Sequence, residues 1–233
     1  LTVSWTAPVN VHGKELTSYV VWAMLSSGGT SAVKSCTVLA SSPPSCTITG
    51  LTNGTAYYIK VWAYNGPDSY RGAVSNLAYS PFTNPDAVTG VSVKAGSEVG
   101  GGQLRISWNA PSGTGGKPIT GYAVTLTPGG RSCQTTVPTT NCTIPNLQDG
   151  TQYSIAIVAI NAVGSNSPPT TVTGTPYSAP DAATGGRVTA GSAAGSRTLV
   201  VAWTASASGN GRAIERYVAS ATAGGLTAGT CTA

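Results

Sequence analysis

The sequence has very little charge, and its cations do not cluster. Lys, Arg, Asp and Glu make up only 8% of the 233 residues, and the formal net charge is +5. Because Lys and Arg stand singly, the sequence has no run of basic residues that could bind along a phosphate backbone. Nucleic acid is therefore not an expected partner. No stretch approaches the roughly 18 consecutive apolar residues that a membrane helix needs, so no membrane insertion is expected within these residues.

Residues with catalytic chemistry are equally sparse. His12 is the one histidine, so no Ser/His/Asp triad can be assembled. The acidic residues fall in turns, loops and linkers, without the close pair that a glycosidase or a calcium site needs. The glycine-rich stretch 96–103 joins two strands rather than a strand and a helix, which argues against a phosphate-binding loop. We expect no enzyme activity, metal or cofactor here, although a longer protein has room for a catalytic module elsewhere.

What the sequence has instead is repetition. CTITGLTNGTAYYIKVWAYN at 46–65 returns as CTIPNLQDGTQYSIAIVAIN at 142–161. A period of about 95 residues matches one small domain rather than one turn of a solenoid. Strands that carry Trp5, Trp108 and Trp203 mark three modules. These tryptophans hold equivalent positions, and we expect them in the cores.

Proline-containing joins set the expected module boundaries. PDAVTG at Pro85 returns as PDAATG at Pro180, each within a stretch that is typical of a linker. The first module begins inside a strand, and the third ends before its copy of the repeated stretch. We therefore expect one complete module and two partial ones from a longer protein, with bounds 1–83, 84–178 and 179–233.

The five cysteines recur at matching places in the modules. Cys36 and Cys46 stand in the first module where Cys133 and Cys142 stand in the second, which predicts one disulfide in each. Cys231 matches the first member of a pair, and we expect its partner beyond the last residue; a free thiol or an intermolecular bridge is the alternative. Zinc is the competing interpretation, but it usually needs CxxC-type spacing and further ligands. Disulfides indicate an oxidising, extracellular compartment.

Short strands at regular spacing predict an all-β fold. Seven candidate strands within the second module favour a β-sandwich. Alternation along the long strands places Tyr57 and Tyr153 on the core side. The candidate strands are 88–94, 103–108, 121–127, 132–137, 141–144, 152–161 and 170–175.

These patterns resemble the fibronectin type III domain over essentially the whole chain. The resemblance implies tandem seven-strand β-sandwiches, in which Tyr57 and Tyr153 form tyrosine corners whose hydroxyls bond back to the backbone. Many secreted bacterial members resemble this chain in their cysteine positions, which implies a secreted or surface bacterial repeat protein. The third module departs from the pattern because LVVAWTAS lacks the proline. The motifs are W-x-x-P at 5–8 and 108–111, a following tyrosine (Tyr19, Tyr122, Tyr217), and L-x-x-G-T-x-Y-x-I-x-V/I-x-A-x-N at 51–65 and 147–161.

One difference between the modules predicts a contact surface. Outward positions of the long strand are aromatic or basic in the first module and small or aliphatic in the second. Since the long strand pairs with its neighbour in the family's fold, an exposed patch is expected, and such patches usually mark contact surfaces. A protein partner or another subunit is favoured; carbohydrate stacked on the rings and cover by a neighbouring domain are the alternatives. The expected patch is Trp22, Met24, Tyr58, Trp62 and Tyr64.

The sequence thus predicts non-catalytic, extracellular structural or adhesive modules that act as a stalk, spacer or surface fibre. Two alternatives stay open. In the first, the modules are spacers in a secreted polysaccharide-degrading enzyme. In the second, they are parts of an extracellular filament or virion that assembles through the aromatic face.

Overall fold

The computed structural model describes residues 1–9, 14–65, 69–74, 78–96, 101–191 and 197–233, with the backbone alone for 69–74. The named elements are all β-strands. His12 and the centre of the glycine-rich stretch 96–103 lie outside the described residues. No helix in the described part is long and apolar enough to cross a membrane.

The first module contains two antiparallel sheets. One pairs two short strands, and the other has the order β3-β2-β5-β6. Tyr19, Val21 and Ala23 on one strand and Ile59 and Ala63 on another are buried, as strict alternation requires when one face of a sheet covers a core. The strands are β1 (Thr2–Ser4), β2 (Ser18–Met24), β3 (Lys34–Leu39), β4 (Ser45–Thr47), β5 (Tyr58–Tyr64) and β6 (Ser69–Val74).

The second module is a seven-stranded β-sandwich. Its sheets have the orders β10-β9-β12-β13 and β11-β8-β7. All seven predicted strands are present, with ends that agree to within about two residues, the usual uncertainty of strand ends. The strands are β7 (Thr89–Ala95), β8 (Leu104–Asn109), β9 (Ile119–Thr127), β10 (Ser132–Thr136), β11 (Asn141–Ile144), β12 (Tyr153–Asn161) and β13 (Thr170–Gly174).

The core of this sandwich is closed from both sheets. Leu104 and Ile106 of β8 and Ile155 and Ile157 of β12 are each 0% exposed. A Cβ added to Gly174 of β13 would lie 3.1 Å from Leu104 and 3.2 Å from Ile155, so the sheets meet without space to spare. Interiors packed to this density are sensitive to the loss of single methylene groups.

The third module forms two antiparallel hairpins. One joins β14 (Thr184–Ala190) to β15 (Leu199–Thr204), and the other joins β16 (Val218–Ala223) to β17 (Leu226–Thr232). Leu199 is 61% exposed, whereas Leu104, its counterpart in the second module, is fully buried. The described residues of the third module include no counterpart of β12 or β13, the strands that cover Leu104.

Chain contacts divide the molecule into two compact units. The first comprises Leu1–Asp86, Pro111–Thr120 and Ile160–Pro168; the second comprises the rest of the second module with the third. The units therefore do not follow the module bounds 1–83, 84–178 and 179–233, which stay a sequence-based prediction.

Candidate functional site

Each of the three repeated tryptophans packs against a tyrosine in or next to the strand that follows. The ring centroids of Trp5 and Tyr19 are 5.1 Å apart, and those of Trp108 and Tyr122 are 5.4 Å apart. Trp203 repeats the arrangement with Tyr217, at 5.7 Å. Trp108 and Tyr122 are buried, and burial raises the pKa of the Tyr122 hydroxyl above its ordinary value. The tilted and edge-on contacts are those that aromatic quadrupoles favour. Tyr19, Trp108 and Tyr122 lie in the cores, whereas Trp5, Trp203 and Tyr217 are half-buried.

The tyrosines of the repeated stretch close a turn through their hydroxyls. The Thr52 amide donates to the Tyr57 hydroxyl at 3.1 Å, and the Gln148 amide donates to the Tyr153 hydroxyl at the same distance. The bond from the Thr52 backbone lowers the pKa of Tyr57, and this effect outweighs burial, which acts in the opposite direction. Both tyrosines therefore have a structural role.

Two disulfides link the sheets of their modules. Cys36 of β3 is bonded to Cys46 of β4, and Cys133 of β10 is bonded to Cys142 of β11. In both cases the two strands belong to different sheets. Cys231 is a free, exposed thiol. The described residues contain no group of three or more His, Cys, Asp or Glu side chains that could hold a metal ion.

The outward side of β2 and β5 carries two neighbouring tryptophans. Trp22 is opposite Lys60, and Trp62 is opposite Val20, so the two indoles stand on a diagonal across the strand pair. Their ring centroids are 5.5 Å apart and their planes are inclined by 57°. The Lys60 ammonium lies 4.3 Å from the centre of the Trp62 ring. We define the aromatic face as the half-buried residues Trp22, Tyr58, Lys60, Trp62 and Tyr64.

Met24 does not belong to this face, and its predicted exposure was wrong. The side chain is 0% exposed. It ends β2, where the chain turns back with the Gly29 amide donating to the Ser26 carbonyl at 3.1 Å. A Cβ at Gly29 would lie 3.3 Å from the Met24 Cβ and 3.4 Å from its sulfur. Alternation holds only along a strand, and the turn that follows covers this last residue.

The corresponding positions of β12 provide a contrast within the same fold. Ser154 is exposed, while Ala156, Val158 and Ile160 are half-buried. These side chains carry neither aromatic rings nor charge. The aromatic face is therefore a property of the first module and not of the repeated stretch itself.

The linker after the first module is hydrogen-bonded along its length. The Gly54 amide donates to the Pro81 carbonyl at 2.8 Å, and the Thr83 amide to the Gly115 carbonyl at 2.9 Å. The Asp86 amide donates to the Gly113 carbonyl, also at 2.9 Å. These residues, which we name the first joint, are 54, 81–86 and 112–117 and all lie in the first compact unit.

A second joint repeats these contacts in the second compact unit. The Gly150 amide donates to the Pro176 carbonyl at 2.9 Å, and the Ser178 amide to the Asn210 carbonyl at 3.0 Å. The Asp181 amide donates to the Ser208 carbonyl at 3.1 Å. The second joint comprises residues 96, 150, 176–181 and 208–212.

Sequence reasoning identified the linkers but missed their partners. The available signal was the recurrence of a glycine followed by a cation, Gly116–Lys117 and then Gly211–Arg212, at the same distance after each Pro-Asp pair. Composition favours a flexible interpretation of such glycine-rich loops. Only the folded backbone brings them to the linkers.

Comparison with known proteins identifies the family and leaves the role open. The fibronectin type III domain model matches residues 1–74 and 86–175. The Kelch domain-containing protein SSO1033 of Saccharolobus solfataricus is 34% identical over 125 residues, which is 53% of this chain and 17% of that protein. The chain thus spans a small part of that relative's length.

Two of the solved structures that match this chain come from chicken. The fibronectin domains FN1–FN3 of CNTN1 match at 19% identity with a TM-score of 0.38, covering 75% of this chain and 61% of that one. A two-domain fibronectin type III segment of tenascin matches at 19% identity with a TM-score of 0.38, covering 75% and 90%. The family model alone carries the assignment.

Proposed function

Because this chain belongs to the fibronectin type III family, we propose that its modules are non-catalytic, extracellular spacers that hold attached structures at a set separation. Modules of this fold host many roles, so the role of this chain depends on its own features rather than on the fold alone. Two features of this chain bear on its role, the disulfides and the two joints. The described residues offer no set of side chains for metal-dependent hydrolysis.

The observation that carries the proposal is the hydrogen bonding of both linkers. A proline-containing linker with free amides is a semi-rigid tether. Here Thr83, Asp86, Ser178 and Asp181 instead donate their backbone amides to the loop that follows. Ordering a linker costs conformational entropy, and the hydrogen bonds of the joints offset that cost. An ordered linker fixes the position of the next module. This supports a spacer over a flexible leash.

The disulfides support the extracellular part of the proposal. Each closes a short loop, with sequence separations of 10 and 9 residues. Such bonds persist in oxidising compartments and are rare in the cytosol. A stalk or surface fibre, and a spacer within a secreted polysaccharide-degrading enzyme, both fit this location.

Module exchange in the full-length protein tests the spacer role. We expect deletion of residues 84–178 to weaken the protein's surface attachment or substrate reach, and replacement of the same residues by an unrelated β-sandwich of equal length with rigid joins to restore it. If the deletion has no effect, or if only the original module restores function, the spacer proposal fails. Release of reducing sugar from polysaccharides by the purified chain would contradict the non-catalytic part.

The aromatic face supports a second candidate function, which is binding of a protein partner. A sugar chain stacks best on open, coplanar rings, whereas Trp22 and Trp62 are inclined by 57° and Lys60 lies against the Trp62 ring. Interface cores are enriched in tryptophan and tyrosine, and Lys60 adds charge complementarity for acidic side chains. The proposed occupant is therefore a protein segment that carries acidic residues.

The control for this candidate is Val158, which occupies the position of Trp62 in the second module. We expect Trp62→Ala and Lys60→Glu to abolish retention of a purified acidic partner, identified by crosslinking to the intact chain, while Val158→Ala retains it. Sedimentation of the chain alone tests self-association, and retention on insoluble polysaccharide tests sugar binding. If the chain self-associates or is retained on polysaccharide, and Trp62→Ala abolishes that behaviour, the aromatic face binds a second copy or a sugar and not an acidic protein partner.

A further inference from the structure

The two joints have equivalent residues at equivalent positions, in their side chains as well as in their backbone hydrogen bonds. Phe82 and Tyr177 occupy the same position of their linkers, and Lys117 and Arg212 occupy the same position of the following loops. Each linker also ends in Pro-Asp, at Pro85 and at Pro180. Both joints therefore pair an aromatic residue of the linker with a cation of the following loop. Hydrogen bonding of the linker backbone alone does not require this pairing.

In each joint the cation lies over the aromatic ring. The Lys117 ammonium is 5.8 Å from the centre of the Phe82 ring. The Arg212 guanidinium carbon is 3.7 Å from the centre of the Tyr177 ring. Cations within about 6 Å of a ring centre are attracted by its quadrupole, and arginine also stacks its plane on the ring. The second joint therefore has the closer contact.

Tyr177 also lies against the backbone at Gly96. A Cβ added to Gly96 would collide with the Tyr177 ring, and Gly96 has a φ of 67°. The half-buried ring therefore contacts both the backbone at Gly96 and the guanidinium of Arg212. A glycine serves here because only a bare backbone leaves room for the ring.

Glycine pairs form the other contact of the joints. A Cβ at Gly116 would collide with the amide nitrogen of Gly54, and a Cβ at Gly211 would lie 2.6 Å from that of Gly150. Gly54 and Gly150 are the glycines of the repeated stretch, and their amides donate to the linker prolines. Any side chain at Gly116 or Gly211 would therefore displace the amide that holds the linker.

The aspartates complete the pattern with side-chain contacts. Ser112 donates its hydroxyl to the Asp86 carboxylate at 3.2 Å in the first joint. Asn210 donates from its side-chain amide to the Asp181 carboxylate at 3.0 Å and to the Ala179 carbonyl at 2.8 Å in the second. The acceptor is the same in both joints, while the donor differs.

We infer that each joint is a binding site for a peptide segment of this chain, in which a glycine-cation loop recognises an aromatic residue, a backbone bend and a Pro-Asp pair. The occupant is the linker, with the pattern aromatic-(Ser/Thr)-x-Pro-Asp. Lys117 and Arg212 act as specificity residues for the aromatic position. Gly116 and Gly211 leave room for the amides of Gly54 and Gly150, which donate to the linker. The inference rests on the proposed spacer role and names the element that would enforce it.

Amide hydrogen exchange on the intact 233-residue chain tests this site residue by residue. The reporters are the joint donors Gly150, Ser178 and Asp181, because exchange requires their hydrogen bonds to open. We expect Gly211→Val to speed their exchange by about tenfold or more. Gly129→Val is the matched control, since Gly129 has a φ of 88° against 93° for Gly211 and nothing within 4 Å of its added Cβ.

Replacement of the cation separates recognition from loop strain. Arg212→Ala should speed exchange of the same amides by about two- to fivefold, the equivalent of one exposed cation-π contact, and Arg212→Lys should fall between. Arg216→Ala, at an exposed position of the same segment, should have no effect. Equal exchange in Gly211→Val and Gly129→Val, or unprotected Ser178 and Asp181 amides in the unaltered chain, would overturn the inference.

The outcome is independent of the module-exchange experiment. Amides of β12 report the sandwich itself, so their unchanged protection shows that the variants remain folded. If the joints are open but replacement of residues 84–178 still restores function, this inference and the set separation between attached structures fail, while the non-catalytic spacer role stands. If the joint amides are protected but the replacement module does not restore function, the proposed function fails and this inference stands.

Discussion

The first two modules have the same inward positions and different outward ones. Ile59 and Ile155 point into their cores from equivalent places on the long strands, whereas Trp62 and Val158 point outward from equivalent places. Core positions are constrained by packing in both modules, while an outward position is free to take up a role. The comparison therefore separates what the fold needs from what the first module adds.

The largest expected effect is on the shared inward positions. Ile155→Ala should lower the free energy of unfolding of the second module by about 2 to 5 kcal/mol, and Ile59→Ala should cost the first module a similar amount, since each leaves a cavity. Denaturant titration followed by NMR signals from each module measures both. Ser154→Ala, on the exposed side of β12, is the control and should change little. Unequal costs for the two isoleucines would break the comparison.

The disulfides should show the next largest effect, again equal in the two modules. Replacing Cys133 and Cys142 by alanine should cost about 2 to 3 kcal/mol, as loop closure predicts for a bridge of this span. The same change at Cys36 and Cys46 should cost as much. Urea unfolding with and without reductant measures the difference, and Cys231→Ala should leave it unchanged. A module whose stability is insensitive to reductant would contradict the prediction.

The smallest effect is a pH dependence with opposite sign in the two modules. The folded-state pKa of Tyr57 is lowered by the Thr52 amide, so the first module should gain stability as pH rises through that pKa towards the unfolded value of 10.0. The pKa of Tyr122 is raised by burial, so the stability that it contributes should be lost as pH rises above 10.0.

Tyrosinate absorbance and module-resolved unfolding at alkaline pH measure this contrast. Tyr57→Phe should remove the gain from the first module only, and Tyr122→Phe should remove the loss from the second. The same sign of pH dependence in both modules would show that the turn hydrogen bond does not control Tyr57.

The aromatic face and the joints show where prediction from the sequence reached its limit. Alternation places Trp22 and Trp62 outward, where both are half-buried, but it also placed Met24 outward, where the turn at 26–29 covers it. The joints depend on loops that meet the linkers after long excursions of the chain. Local periodicity contains no information about such encounters.

The sequence by itself determined the seven strands of the second module, the inward faces of the long strands and the cysteine pairs, because each follows from a period of two residues or from recurrence at equivalent places in the modules. Tertiary structure decided the cover over Met24, the tilt between Trp22 and Trp62, and the partners of the linkers. The cover over Met24 and the partners of the linkers depend on how close two backbones come, and that distance is set by glycines and turns acting together. A pattern of residue types does not encode that distance.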